Sequence, residues 1–140
     1  MRVELSRFRV RPDKSARVDE WINMLNAHMG EIIPVLDREE MKLEVIFREI
    51  IDGQEYLYWF SVQGDSGRSA NADADYEVGR EHVKFHKECI DHQYGMRDAQ
   101  PQVIMVPHIV AQAIGWENPP ASAVRFERRE IVHRSPGLGS

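Results

Sequence analysis

Two charged residues four positions apart, Glu44 and Arg48, could do chemistry on one face of a predicted strand. A carboxylate in a partly dry cavity is harder to ionise, which suits it to proton transfer. A guanidinium in the same cavity can hold an anionic group of a substrate. We therefore take Glu44 as a candidate catalytic acid or base and Arg48 as a candidate substrate-binding residue. The alternatives are a mutual ion pair and plain exposure to solvent.

A second group of candidates lies at helical spacing, because His82, His86 and Cys89 fall near one face of a helix predicted over 72–91. Histidine titrates near neutral pH and can act as an acid, a base or a haem ligand, so His82 is the second catalytic candidate. A metal site built from the three side chains is an alternative, but the sequence has neither H-E-x-x-H nor a paired C-x-x-C, and we expect no metal. The structural alternative is a histidine hydrogen-bonded inside the core beside a buried cysteine.

The candidate binding surface comes from the aromatic-rich segment 54–63. Alternation places Trp59, Ser61 and Gln63 on one face of this predicted strand. We expect that face to line the cavity, with Trp59 as a flat wall and the other two as hydrogen-bonding groups. The opposite face carries larger aromatic residues and is predicted to pack beneath the helices.

The elements that position these residues follow the order strand, helix, strand, strand, helix, strand. Apolar periodicity predicts a helix from Lys14 that Gly30 and Pro34 break in two, and Asp52-Gly53 predicts a tight turn. The predicted strands cover residues 2–11, 41–52, 54–63 and 102–110. This order is the ferredoxin-like α+β arrangement, an antiparallel sheet with both helices on one face.

The other face of that sheet is bare in such a fold. Its predicted apolar residues, Ile46 and Ile50 among them, favour an association surface. We expect a homodimer whose two sheets face each other around a cavity that holds the site. Residues 1–116 would form this domain, and residues 117–140 an extended basic tail that packs on a neighbouring subunit or sheet edge.

Composition narrows the class of protein. The 140 residues carry 18 Lys and Arg against 23 Asp and Glu, which disfavours a nucleic-acid partner. No apolar run approaches the length of a membrane span, and the first residues lack the pattern of a signal peptide. The single cysteine fits a reducing compartment, so we expect a soluble cytoplasmic domain. The sequence contains neither the phosphate-binding motifs G-x-x-x-x-G-K-[ST] and G-x-G-x-x-G nor the nucleophile motif G-x-S-x-G of serine hydrolases. Nucleotide-dependent and serine-hydrolase chemistry are therefore unsupported.

Two resemblances add to this reading. The segment Val10-Arg11-Pro12-Asp13-Lys14 is similar to the V-x-P-G-K corner of the dimeric α+β barrel superfamily, with Asp13 where glycine is common. The blocks RVELSRFRVRPDKSARVDEW, EVIFRE, EYLYWFSVQG and HVKFHKECID resemble a bacterial family of unknown function. The first resemblance implies a ferredoxin-like dimer that acts on small organic molecules without a cofactor. An aromatic residue is usual in the second family where this chain has His86, so no shared mechanism is assigned to that histidine.

Together these observations favour a small cofactor-independent enzyme of isomerase, cyclase or monooxygenase type. It would act on a small organic molecule by acid/base chemistry, with Glu44 and His82 as the catalytic pair. One alternative is a haem-binding protein with His82 or His86 as the axial ligand. The other is a non-catalytic module for small-molecule binding or assembly.

Overall fold

The computed structural model describes residues 1–65 and 76–117. The chain divides into two compact units, Met1–Met105 and Val106–Ser140. Apart from Glu117, the predicted basic tail lies outside the described residues. Among the described residues, no helix combines the length and the apolarity that a bilayer crossing needs.

The first unit is an α+β fold with the ferredoxin-like topology. Its antiparallel sheet has the strand order β2-β3-β1-β4. The elements in chain order are β1 (Arg2–Arg9), α1 (Ser15–Ala27), α2 (Met29–Arg38), β2 (Met41–Ile51), β3 (Gln54–Gln63), α3 (Glu77–Cys89) and β4 (Arg97–Ala99). This arrangement confirms the predicted fold class. The second unit contributes α4 (His108–Ile114) to the described residues, and Gly115 ends that helix at a φ of 72°.

The β2–β3 hairpin turns at the predicted dipeptide. Asp52 and Gly53 have φ values of 50° and 76°, and Ile51 pairs with Gln54 across them. Positive φ at both central residues is the geometry of a type I′ turn, which matches the twist of the flanking strands. The corner after β1 also needs a left-handed residue, because Asp13 has a φ of 68°. Glycine adopts this conformation most readily, and an aspartate is among the residues that tolerate it.

Two predicted boundaries are wrong. The last strand is not 102–110 but β4, a three-residue edge strand whose Asp98 accepts a 2.6 Å hydrogen bond from Ser6 Oγ. The segment that follows contains Pro101 and Pro107, which have no N–H to donate to a strand. The first helical region breaks at His28 rather than at Gly30, and Pro34 is accommodated inside α2.

The core lies between the sheet and the helices α1 and α3. Trp21 and Val18 of α1 are at most 1% exposed and pack with Phe85 and Cys89 of α3 over Leu57 of β3. Glu44, Ile46, Trp59 and Ser61 belong to this helix-covered face, which we call the inner face. Among residues 1–65 and 76–105, no helix packs on the outer face of the sheet. Every second residue of a strand points to this outer face, and these residues include Leu43, Phe47, Tyr58 and Phe60.

Candidate functional site

The inner face borders a largely apolar cavity of about 350 Å³, which we call the apolar chamber. It lies among α1, α2, β2 and β3, and the exposed side chains of Met29 and Ile33 belong to its lining. The polar residues of the lining are Asn26, Glu44, Tyr76 and His82. A cavity of this size and character is typical of a site for a small organic molecule. Its apolar side chains include Ile22, Leu25, Ile32, Leu36 and Ile46.

A second cavity of about 230 Å³, the polar chamber, lies along β1, β3 and α3. Its lining includes Glu4, Ser6, Ser61, Gln63 and His86. Three residues line both chambers: Glu44, Trp59 and His82. These three side chains therefore form a shared wall with one cavity on each side.

The shared wall is organised around Trp59. Its indole Nε1–H donates to Glu44 Oε1 at 3.1 Å, and its ring centroid lies 6.0 Å from that of His82. Phe8 packs edge-on against the same indole at 5.5 Å. These contacts hold the carboxylate and the imidazole beside one flat aromatic surface.

His82 is oriented from the other side by Trp21. The indole Nε1–H of Trp21 donates to His82 Nδ1 at 2.9 Å, and the two rings lie 5.4 Å apart. Since Nδ1 accepts this hydrogen bond, the neutral imidazole carries its proton on Nε2. Nε2 is then the hydrogen-bond donor of the ring. The sequence indicated only a core role for Trp21, because a tryptophan in an apolar helical stripe gives no sign of a particular hydrogen-bond partner.

Ser61 and Gln63 form a hydrogen-bonded end of the polar chamber. Both are buried, and Gln63 Nε2 donates to Ser61 Oγ at 2.9 Å and to Glu4 Oε2 at 3.1 Å. Arg2 Nη2 donates to Gln63 Oε1 at 2.7 Å, so both ends of the amide are engaged within the protein. The predicted role of Ser61 and Gln63 in substrate binding stays a prediction.

His86 is held neutral at the far side of the polar chamber. Burial, together with the neighbouring His82 and His92, lowers its pKa to about 4. Its ring lies 5.4 Å from that of Phe8 and 6.0 Å from that of Trp21. At neutral pH this histidine is therefore an uncharged polar group among aromatic rings.

The structure corrects the predicted position of the cavity. Glu44, Trp59, Ser61 and Gln63 do share one face, but that face lies beneath the helices and not between two sheets. The tyrosines were expected beneath the helices, and they lie on the outer face instead. The phenol of Tyr58 donates to Glu49 Oε2 at 2.7 Å there. The phenol of a tyrosine needs a polar partner, which the outer face provides. The indole of Trp59 fills apolar volume on the inner face and donates its one N–H to Glu44.

Arg48 does not belong to the shared wall. Its guanidinium bonds to Glu55, Asp19 and Ser15, and it lines neither chamber. Burial acts to lower the pKa of Arg48, but the hydrogen bonds that its guanidinium donates to Asp19 and Glu55 outweigh this effect and raise the pKa. Arg48 and Glu44 do not line a common chamber in the described part of the chain, because β2 carries Arg48 four residues further along, to the N-terminus of α1. The predicted role of Arg48 in substrate binding stays a prediction.

His82 and His86 reach the polar chamber, whereas Cys89 is buried in the core, where burial raises its thiol pKa. Within residues 1–65 and 76–117, no group of three side chains of the metal-binding types comes together.

Comparison with known proteins gives a family and a distant structural similarity. Residues 1–112 match the profile described as "Family of unknown function (DUF6176)". The crystal structure of an L-rhamnose mutarotase from Formosa agariphila aligns with 76% of this chain and all of its own length, at 12% identity and a TM-score of 0.47. No curated protein matches the sequence. Since the family match takes in the whole sheet, its helices and the shared wall, the chain belongs to the family of unknown function DUF6176.

Proposed function

We propose that the protein is an enzyme that moves a proton within a small organic molecule bound in the apolar chamber. The observation that carries this proposal is the shared wall, where Glu44 and His82 border the same cavity beside Trp59. A carboxylate and an imidazole on one cavity are the side chains most often used as general base and general acid.

The two residues have complementary roles in this proposal. Glu44 removes a proton from the bound molecule, and the Nε2–H of His82 supplies a proton to a neighbouring atom. The reaction is then an isomerisation, in which one proton leaves the molecule and another returns, with no change in its oxidation level. Trp21 and Trp59 act as positioning residues, because the indole N–H of Trp21 donates to His82 and that of Trp59 donates to Glu44.

Incorporation of solvent deuterium tests this proposal. Enolisable cyclic ketones are incubated with the protein in D₂O, and the loss of the α-proton signal is followed by NMR. We expect exchange with the wild type and a loss of about 100-fold or more in Glu44→Gln, because general acid–base catalysis contributes about 10²–10⁴-fold.

His82→Gln should lower the exchange rate by a similar factor. His92→Gln is the matched control, because His92 lines neither chamber. Equal exchange rates in the wild type and in Glu44→Gln would contradict the proposal. Ketone binding without any enzyme-dependent exchange would instead identify a binding module. The haem alternative stays a prediction, and a Soret band in the purified protein is its test.

We also propose that the outer face joins two copies of the chain. Leu43 and Phe47 are 49% and 54% exposed there, and a groove on this face is lined by Leu5, Phe47 and Phe60 among others. A twofold axis lets the same apolar patch cover itself in the partner. Light scattering coupled to gel filtration should give twice the 16.3 kDa of one chain, and Phe47→Glu should give a monomer. A wild-type mass of one chain would contradict the assembly and leave the chambers intact, since both lie within one subunit.

A further inference from the structure

Three arginines surround one tyrosine ring at the β1–β4 edge of the outer face. The guanidinium carbons of Arg97, Arg9 and Arg7 lie 4.5, 4.8 and 5.9 Å from the ring centroid of Tyr94, within the range of cation–π contacts. We call these four residues the arginine–tyrosine cluster. The chain as a whole carries a net charge of −5, so this concentration of positive charge is a local exception.

Two of these arginines, Arg7 and Arg97, face each other across the sheet. They are direct partners in the register of β1 and β4, so their side chains lie on the same face. Like charges in this position destabilise an antiparallel pair of strands. Both residues are exposed, and within residues 1–65 and 76–117 neither guanidinium forms an ion pair. The described residues therefore leave this repulsion without an offsetting negative charge.

The carboxylate beside the cluster, Asp91, is already engaged. Its Oδ2 accepts hydrogen bonds from Arg9 Nε at 3.1 Å and from Arg9 Nη2 at 2.6 Å. Its Oδ1 accepts from the backbone N–H groups of Gln93 at 3.0 Å and Tyr94 at 3.3 Å. These bonds neutralise Arg9 and hold the backbone that carries the tyrosine ring. They leave Asp91 no free oxygen for Arg7 or Arg97.

Two further carboxylates of this part of the sheet also have other partners. Asp98 follows Arg97 in β4 and lies on the opposite face, where it accepts the hydrogen bond from Ser6 Oγ. Glu49 belongs to β2, which β3 separates from β1, and it accepts the hydrogen bond from the phenol of Tyr58.

The guanidiniums of Arg7 and Arg97 are held in place but retain most of their donors. Arg7 Nε donates to Tyr94 Oη at 2.8 Å, and Arg97 Nε donates to the carbonyl oxygen of Tyr94 at 3.3 Å. The N–H groups on the two Nη atoms of each arginine have no acceptor among the described residues. Donors that are already positioned lower the entropy cost of binding a ligand.

We infer that the arginine–tyrosine cluster binds a small dianion of the phosphate-monoester class. Two guanidiniums without ion pairs match two negative charges, and each can bind phosphate oxygens through parallel N–H groups. A monocarboxylate would match one of the two charges. A nucleic acid does not fit, because the chain as a whole is acidic.

This site is separate from those described above. None of the four residues of the cluster lines either chamber or the groove of the proposed interface between two copies. The inference therefore uses neither the proposed reaction nor the proposed assembly.

Binding of methyl phosphate to the full-length protein tests the inference. At pH 8 this phosphate monoester is a dianion. It is titrated at constant ionic strength, beside acetate and chloride, and the side-chain Nε–H signals of the arginines are followed by NMR. We expect a saturable shift of the Arg7 and Arg97 signals and binding at least about ten-fold tighter than that of acetate.

Substitutions at the exposed edge strand separate this site from general attraction of anions. Arg97→Met should weaken the binding of methyl phosphate about ten-fold or more, and Arg97→Lys should lose less because it keeps the charge without the planar fork. Arg38→Met is the matched control, since it removes the same charge from an exposed position on α2. It should bind methyl phosphate as the wild type does. Methyl phosphate should also raise the Tm of the wild type and of Arg38→Met more than that of Arg97→Met, because a ligand of the folded chain stabilises it.

Three results would overturn the inference. The first is a shift that does not saturate, or that chloride reproduces at equal ionic strength, since either indicates general screening of charge. The second is acetate binding as tight as that of methyl phosphate, which would remove the dianion from the inferred ligand class. The third is an equal loss of affinity in Arg38→Met and Arg97→Met.

Discussion

His86 should make the stability of the protein depend on pH between about 4 and 6.5. The imidazole has its ordinary pKa of 6.5 in the unfolded chain, and burial lowers this pKa to about 4 in the folded state, with His82 and His92 acting in the same direction. Between these two values the unfolded chain binds more protons than the folded one, so stability falls as the pH falls. From pH 7 to pH 5 the difference amounts to about 2 kcal/mol, and solvent screening of this half-buried ring reduces it to about 1 kcal/mol.

The perturbation that isolates this effect is His86→Phe. A phenyl ring keeps the edge-on aromatic contacts to Phe8 and Trp21 but cannot take up a proton. The free energy of unfolding, measured by urea denaturation at pH 7 and at pH 5, should decrease by about 1 kcal/mol less in the variant than in the wild type. Titrations shared by both proteins cancel in this difference.

His108→Gln is the control, because His108 is exposed and is not among the groups that act on the pKa of His86. It should retain the pH dependence of the wild type. If His86→Phe also retained that dependence within about 0.3 kcal/mol, the ring would be solvated in the native state, and its assignment as a neutral group of the polar chamber would be refuted.

Three further substitutions test the positioning of the site. Trp21→Phe removes the hydrogen bond to His82 and part of a buried ring, so thermal or urea unfolding should show a loss of about 2 kcal/mol, and deuterium exchange should fall in kcat more than in KM. Gly53→Ala places a Cβ at a φ of 76° and should cost about 1 kcal/mol of stability, with no change in ligand affinity. Arg48→Met should cost about 1–2 kcal/mol by leaving Glu55 without its cation, yet ligand affinity should stay within about two-fold. A large loss of affinity in Arg48→Met would return that arginine to the site.

The sequence alone determined the first three strands, the helices between them and the order of these elements. Alternation in β1, β2 and β3 placed Glu44 with Arg48 and Trp59 with Ser61 on common faces, because residues two apart in a strand always point the same way. The Asp52-Gly53 turn followed from the need for positive φ at both positions. These features depend on neighbours in the chain, and patterns of a few residues are sufficient to predict them. The edge strand β4 was missed because three polar or small residues, Arg97–Ala99, carry no periodic signal.

Only the tertiary structure decided which face of the sheet the helices cover. The face of β3 with Tyr56, Tyr58 and Phe60 carries more aromatic residues than the face with Trp59, so composition favoured the burial of the first face. Packing against Trp21 and Phe85 selected the face with Trp59. The same packing placed His82, which lies far from Glu44 in the sequence, on the wall that Glu44 shares. It also carried Arg48 away to Glu55 and Asp19. A site of this kind depends on distances between residues of different elements, and local periodicity contains no information about those distances.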